Sequence, residues 1–422
     1  MKERRGWLNT WLGVQAWWRH GRPFWFHAGF LALLFIVGAV EFARGALFIS
    51  ILPAYITEQL GYGVGTVGLV ISAHYLMDTL FRSPAGWLVD RVGPWPVLLV
   101  GLPIAFAGIL ILSTHQPEWV LILAAALFGV GAAPTWPAVV SNAVSMSPEA
   151  ERGGTLSTVF VAWLVGSGIG TVLVNFVVSH TYREAFWLLG GVFSLAILVT
   201  VAMRLLRRTP VAHTARPLPA AAYFRQMFSH LWTVRALLPG TYLQTACLGL
   251  LLPVLLPYAK MRLGLDQAGY GTLLMVGGGV TVLLLTPMGR LADRWDYRFL
   301  LTTGFVVAAG ALTVLTFLRH LWTVYIFAAV LGGSYAMILP SWNALLAKAL
   351  PEKQRGSLFG LFQSLEGLGI GTGPLIGGKL WEAFSPQIPF YVAAAALVVM
   401  AAFYMSYPLH RLFAAVRAQE IS

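Results

Sequence analysis

Apolar stretches of about twenty residues recur from about Phe24 to His410, separated by short polar connections, and leave this chain few ways to fold. As a helix, each stretch is long enough to cross about 30 Å of hydrocarbon. Hydrophobic residues make up 58% of the 422 positions and charged residues only 10%. A soluble domain usually carries about 25% charged residues. The pattern predicts an all-α integral membrane protein with twelve spans. These lie at about 27–55, 66–88, 94–113, 118–146, 154–180, 185–206, 233–260, 268–291, 299–318, 322–348, 356–384 and 387–410. Several exceed the hydrocarbon thickness, which implies tilt or ends that protrude into the interface. The first 26 residues are basic and aromatic, without the small-residue cleavage pattern of a secretory signal.

The formal net charge of +12 raises the question of nucleic acid, and its distribution answers it. With both termini on one side, 22 of the 28 Lys and Arg residues fall on that side. They occupy the N-tail, the central linker, the C-tail and the even-numbered connections, where Arg82, Arg91, Arg152, Arg290, Arg294 and Lys353 are placed. The other side holds Arg183, Lys260, Arg262, Arg319 and Lys379, and Arg44 is intramembrane. Basic residues gather on the cytoplasmic side of membrane proteins, so both termini are expected in the cytoplasm of a cell with a multi-pass plasma-membrane protein. The charge therefore reads as topology and attraction to anionic lipid, not as nucleic-acid binding. A single cysteine, Cys247 in span 7, excludes an internal disulfide and a multi-cysteine metal site. Helix packing is its expected role.

A few ionisable residues stand inside the spans. Glu41 and Arg44 lie three apart in span 1, and His74 and Asp78 lie four apart in span 2, so each pair shares a helix face. Glu366 stands in span 11 beside Gln363 and among glycines. Charges in hydrocarbon cost a few kcal/mol or more unless paired or hydrated, and most mark functional sites. One reading is that these pairs only brace neighbouring helices. The other is a hydrated pocket in which Arg44 and the carboxylates hydrogen-bond hydroxyls, with Trp136 (span 4) and Trp163 (span 5) stacked on a sugar ring. A carboxylate between an arginine and a histidine also suits proton exchange, with Glu41, Asp78, His74 and Glu366 as the proton-coupling candidates. For either tryptophan alone, packing explains its presence as well as ligand contact does. The second-half counterpart of span 1, Leu248 to Pro257, carries no charge, nor does Met275 to Val280 in span 8. A cavity polar on one side and apolar on the other suits an amphiphile.

Polar residues 207–232 divide the chain into an N-terminal half (27–206) and a C-terminal half (233–410), flanked by tails at 1–26 and 411–422. The halves repeat. Gly86-Trp87-Leu88-Val89-Asp90-Arg91 returns as Gly289-Arg290-Leu291-Ala292-Asp293-Arg294 at an offset of 203, and Pro134-Thr135-Trp136 returns as Pro340-Ser341-Trp342 at 206. Gly168-Ile169-Gly170-Thr171 returns as Gly369-Ile370-Gly371-Thr372 at 201. Two six-helix repeats joined by a basic linker resemble the major facilitator architecture. The Gly-x-Leu-x-Asp-Arg elements are similar to that superfamily's signature connection between spans 2 and 3. The resemblance implies gating loops at Gly86, Asp90, Arg91, Gly289, Asp293 and Arg294, whose contacts lock one side in one conformation.

A narrower resemblance lies in Glu41-Phe42-Ala43-Arg44-Gly45, His74-x-x-x-Asp78, Pro134-x-Trp136, Trp163, Leu238-Pro239-Gly240-x-x-Leu243-Gln244, Leu339-Pro340-x-Trp342-Asn343 and Gly373-Pro374-Leu375-x-Gly377-Gly378. These stretches resemble the flippases that move the glycolipid anchor of lipoteichoic acid across Gram-positive bacterial membranes. The resemblance implies that Glu41, Arg44, Asp78, Trp136 and Trp163 contact a disaccharide headgroup and that Glu41 and Asp78 couple to protons. It further implies an apolar C-half pocket for acyl chains and antiport driven by the proton gradient, with no cofactor or metal. The implied substrate is a diglucosyl-diacylglycerol-like lipid moved from the inner to the outer leaflet. Two features depart from that branch: Glu366 stands where an uncharged residue is expected, and the intact Asp90-Arg91 element looks like that of facilitators in general. A proton-coupled exporter of hydrophobic drugs would use the same carboxylates, and a non-transporting receptor or scaffold would need neither the carboxylates nor the repeated gating elements. No residue spacing supports an enzyme.

Overall fold

A computed structural model describes residues 27–148, 151–178, 182–206, 237–349 and 355–407. The expected N-tail, the linker at 207–232 and the C-tail lie outside these residues. The described chain is helical throughout, in twelve segments. We number them α1 (Ala28–Gln59), α2 (Val64–Val92), α3 (Pro94–Leu112), α4 (Glu118–Met146), α5 (Arg152–Val177) and α6 (Arg183–Leu206). The second set is α7 (Leu238–Leu251 and Leu255–Leu263), α8 (Gln267–Arg294), α9 (Tyr297–Leu315), α10 (Leu321–Ala349), α11 (Arg355–Ala383) and α12 (Ile388–Ser406). Ten of the twelve are singly long and apolar enough to cross a membrane, and the bent α7 makes an eleventh. The remaining helix, α11, spans 29 residues but is rich in glycine and carries Glu366, Lys379 and Glu382.

Prolines shape the first helix of each half. In α7 the helix breaks before Leu255 with a 45° bend at Pro253. In α1 the wider π-type turns at Ala46–Ile51 and Tyr55–Gln59 flank Pro53. Proline offers no N–H, so the turn before it is short of donors for its carbonyls.

Small residues bring the helices together. α5 lies on α1 so closely that a Cβ on Gly45 would meet the Ser167 carbonyl oxygen at 2.5 Å. In the second half a Cβ on Gly249 of α7 would meet the Ile370 carbonyl of α11 at 2.7 Å. The repeated Gly-Ile-Gly-Thr runs of α5 and α11 thus do the same work in both halves, close backbone approach to the first helix of the half. α11 uses further glycines on its other side: Gly371 faces Leu76 of α2 and Gly367 faces Thr79.

The contacts between halves gather at the end where odd-numbered helices finish and even-numbered ones begin. Gln267 of α8 donates from Nε2 to the Ser50 carbonyl (3.0 Å) and to Asn175 Oδ1 (2.7 Å). Tyr270 donates to the Ile49 carbonyl at 3.2 Å. Both acceptors belong to the turn that Pro53 leaves short of donors. Asn175 in turn donates to Ser50 Oγ (2.9 Å) and the Thr171 carbonyl (2.6 Å). Nearer the surface, Lys260 pairs with Glu58 at 2.7 Å, and Tyr182 donates to Glu58 at 2.9 Å. Burial first, and the Glu58 carboxylate second, raise the Tyr182 phenol above its ordinary range, which keeps it protonated as that donor. Glu382 Oε1 accepts from Gly65 N–H at 2.7 Å, capping the start of α2 from the other half. We call this the closed end.

Two expectations need correction. The Gly-x-Leu-x-Asp-Arg elements are not loops: Gly86, Asp90 and Arg91 form the last turns of α2, and Gly289, Asp293 and Arg294 those of α8. The helices run on past the apolar stretch because nothing in these residues breaks a helix until Gly93, whose φ of 88° ends α2. Arg82, assigned by its charge to a connection, lies inside α2.

The closed end yields a prediction. Asn175→Leu removes the side chain that bonds Ser50 Oγ, the Thr171 carbonyl and Gln267, and so weakens a buried network across the two halves, a cost of about 1–3 kcal/mol specific to this conformation. A disulfide between Glu58→Cys and Lys260→Cys should then form about tenfold or more slowly under oxidation. An unchanged cross-linking rate would show that the network does not hold this end shut.

Candidate functional site

Midway along α2, about 21 Å from either end at 1.5 Å per residue, stands Asp78. Its side chain is 2% exposed and is shared by two arginines. Arg44 of α1 reaches Oδ1 with Nη2 at 3.3 Å, and Arg82, one turn along α2, donates from Nη2 to Oδ2. Arg44 also donates from Nη1 to Glu41 Oε1 at 2.8 Å. The result is a chain of alternating charge, Glu41, Arg44, Asp78 and Arg82, across two helices. Its placement follows from helix geometry: residues three and four apart present to one face, and the close approach of α5 behind Gly45 leaves that face turned toward α2.

The tryptophans flank this chain. Trp163 of α5 stands beside the Glu41 side chain. Trp136, at the start of the second part of α4, meets the Phe160 ring edge-on with centroids 4.9 Å apart. Phe160 and Trp163 are three apart on α5, so the two tryptophans border one stretch of that helix. Both are half-buried.

His74 is placed differently from its α2 neighbour Asp78. It is fully buried, stacked on Phe48 with centroids 4.1 Å apart, and edge-on to Tyr75 at 4.7 Å. Phe128 of α4 covers it at 5.1 Å, and neither ring nitrogen has a hydrogen-bond partner. The structure thus sets His74 in an aromatic cluster behind the carboxylates rather than among them.

Glu366 lies in the other half. Its neighbours in electrostatic reach are Arg82 of α2 and Tyr335 of α10. Beyond it, the C-half wall is apolar: on α8, Met275, Val282 and Leu283 are exposed, and no charged side chain occurs between Gln267 and Arg290. The gating candidates Asp90, Arg91, Asp293 and Arg294 lie at the far ends of α2 and α8, well away from the closed end; Arg91 packs over the Trp87 ring at 4.1 Å.

Sequence reasoning missed Arg82 and Tyr75, whose side chain lies in the field of Arg44, Glu41 and Asp78. Arg82 carried a legible signal, since it stands one helical turn after Asp78. Among the described residues no group of His, Cys, Asp and Glu has the arrangement of a metal site.

Removing one member of such a network leaves a buried charge uncompensated, at a cost of about 3–5 kcal/mol. Arg44→Met should therefore lower the melting temperature of the detergent-solubilised protein clearly. The double variant Arg44→Met/Glu41→Gln should recover much of the loss. Equal melting temperatures for the two variants would show that Glu41 and Arg44 do not act as a pair.

Comparison with known proteins agrees with the fold. The sequence profile of the Major Facilitator Superfamily matches residues 34–275 and again 237–418. The chain is 27% identical over 389 residues to the proton-coupled antiporter flippase LtaA of Staphylococcus aureus strain MSSA476, covering 90% of this chain and 95% of that protein. LtaA of strain USA300 is 26% identical over the same coverage. Among solved structures, a mutant of the peptide transporter POT aligns with a TM-score of 0.74 at 17% identity, over 92% of this chain and 95% of the other. A bacterial homologue of the human lysosomal transporter Spinster, in an inward-facing and unoccupied conformation, aligns at 0.72 with 15% identity, over 94% and 98%. These relatives are membrane transporters, not enzymes.

Proposed function

Because the chain belongs to the Major Facilitator Superfamily, a multi-pass transporter is the premise, and we propose that this one exchanges protons for an amphiphile with a hydroxyl-rich headgroup. The reading extends to a flippase that moves a diglucosyl-diacylglycerol-like glycolipid from the inner to the outer leaflet by alternating access. The observation that carries it is the intramembrane chain Glu41–Arg44–Asp78–Arg82, flanked by Trp136 and Trp163, in a fold whose α8 carries no charge between Gln267 and Arg290. The relatives named as proton-coupled antiporter flippases support the same reading.

The chemistry follows from the donors and acceptors. Arg44 and Arg82 carry N–H groups, and Glu41 and Asp78 carry lone pairs, in a geometry that spans a ring's hydroxyls. Trp136 and Trp163 offer flat apolar faces to the C–H side of a sugar. Acyl chains meet the α7 and α8 wall at no cost in polar desolvation. Protonation of Glu41 or Asp78 removes a counter-charge from Arg44, so the guanidinium reorganises and its hold on the headgroup changes. One proton is in this way exchanged against one bound lipid. His74 enters as the packing side chain that fixes α2 behind Asp78. With the basic face in the cytoplasm, the closed end faces outward and the site is reached from the cytoplasmic leaflet.

Reconstitution tests this. In liposomes carrying fluorescent diglucosyl-diacylglycerol, an imposed proton gradient should speed appearance of the lipid in the acceptor leaflet at least about tenfold over fluorescent phosphatidylcholine, a discrimination worth about 1.4 kcal/mol. Glu41→Gln and Asp78→Asn should each abolish the gradient effect. Equal rates for the two lipids, or unchanged transport in both variants, would overturn the glycolipid assignment. Gradient-driven movement of a hydrophobic cation without lipid movement would instead identify a drug exporter.

A further inference from the structure

The four charges of the N-terminal half balance, Glu41 and Asp78 against Arg44 and Arg82. Glu366 is a third carboxylate, and it comes from the other half. α11 brings it to α2 because Gly367 sets its backbone against Thr79, where a Cβ would lie 2.8 Å from the threonine methyl. Thr79 stands between Asp78 and Arg82, so this contact places Glu366 beside the same turn of α2. The field of Arg82 reaches Glu366 across the seam between the halves.

Arg82 has capacity to spare. Its Nη2 is engaged by Asp78, but its Nε is buried without a hydrogen-bond partner, and the side chain is 28% exposed. The other titratable group acting on Glu366 is Tyr335 of α10. α12 and the first part of α7, which also pack on α11, contain no charged residue. Among the described residues Glu366 therefore has one cationic neighbour, and that neighbour already serves Asp78. Three carboxylates against two arginines leave a surplus of one negative charge in a low-dielectric site, and one proton neutralises it.

We propose that Arg82 is a positioning residue shared between Asp78 and Glu366, making the α2–α11 seam a one-proton switch that links the two halves. With Glu366 ionised, Arg82 is drawn toward α11 and ties the helices beyond Thr79 and Gly367, favouring closure of the end opposite the closed one. With Glu366 protonated, Arg82 belongs wholly to Asp78 and the helices part. The role in transport rests on the proton-coupled reading above; the proton-dependent movement does not.

Pulsed electron paramagnetic resonance reads that movement without any lipid. In a Cys247→Ala background, spin labels on Val92→Cys and Trp295→Cys report the separation of α2 and α8 at the end opposite the closed one. Between about pH 5 and pH 9 the ratio of the two distance populations should change by up to about tenfold per pH unit, the limit for one linked proton. Glu366→Gln and Arg82→Gln should each abolish that change, while Arg82→Lys, which keeps the charge and guards against a folding artefact, should retain it. A pH response that survives both neutral variants overturns the proposal, as does its absence from the unaltered protein. A response lost in Glu366→Gln but intact in Arg82→Gln overturns the shared arginine. If the pH response behaves as expected while no glycolipid moves in the liposome assay, the switch stands and the flippase reading alone fails.

Discussion

Asp78 held between two arginines is the interaction on which the rest of this structure depends. A carboxylate at the middle of a spanning helix is tolerable only with its charge answered, and Arg44 and Arg82 answer it from one helix away and from one turn along. Arg44 in turn needs Glu41. Each member is thus required by the next, and α1 and α2 are held in one relative position by electrostatics as well as by packing. The cost of maintaining such a network in hydrocarbon makes sense for a protein that must bind polar groups there.

The glycines make this possible. α1 and α5 approach so closely that the charged face of α1 has one direction left, toward α2 and the cavity. α11 is narrow on two sides and serves both as the inner partner of α7 and as the main contact of the C-half with α2. A helix that packs within its own half on one face and across the halves on the other is well placed to transmit a change in either. The closed end adds a second layer, in which carbonyls left over by the Pro53 turn are taken up by Gln267 and Tyr270 of the other half.

Much of this was legible beforehand. The all-helical membrane class and the order of most spans follow from hydropathy, because hydrocarbon demands about twenty apolar residues per crossing and forbids unpaired backbone. The two-fold repeat was legible because equivalent helices meet the same packing problem with the same residue type, as in Gly170 against Phe42 of α1 and Gly369 against Tyr242 of α7. The pairing of Glu41 with Arg44 was legible because it is local, an i,i+3 relation on one helix. Charge alone puts Arg82 with the basic residues of a connection although it falls within the apolar stretch 66–88, and the structure carries it inside a helix that continues to Val92. The signature elements at Gly86–Arg91 and Gly289–Arg294 likewise read as loops although they end α2 and α8.

By itself the sequence determined the class of protein, the repeat and the concentration of intramembrane charge in the N-terminal half, all consequences of composition and of spacing along a single helix. Tertiary structure alone decided who partners whom. It gave Asp78 two arginines instead of one, put His74 among aromatic rings although it shares a helix with Asp78, and set Glu366 in reach of Arg82 from a helix some 280 residues away. Helical periodicity states which face a side chain occupies, but the neighbour on that face is chosen by how closely the backbones can approach, and here the glycines of α5 and α11 make that choice.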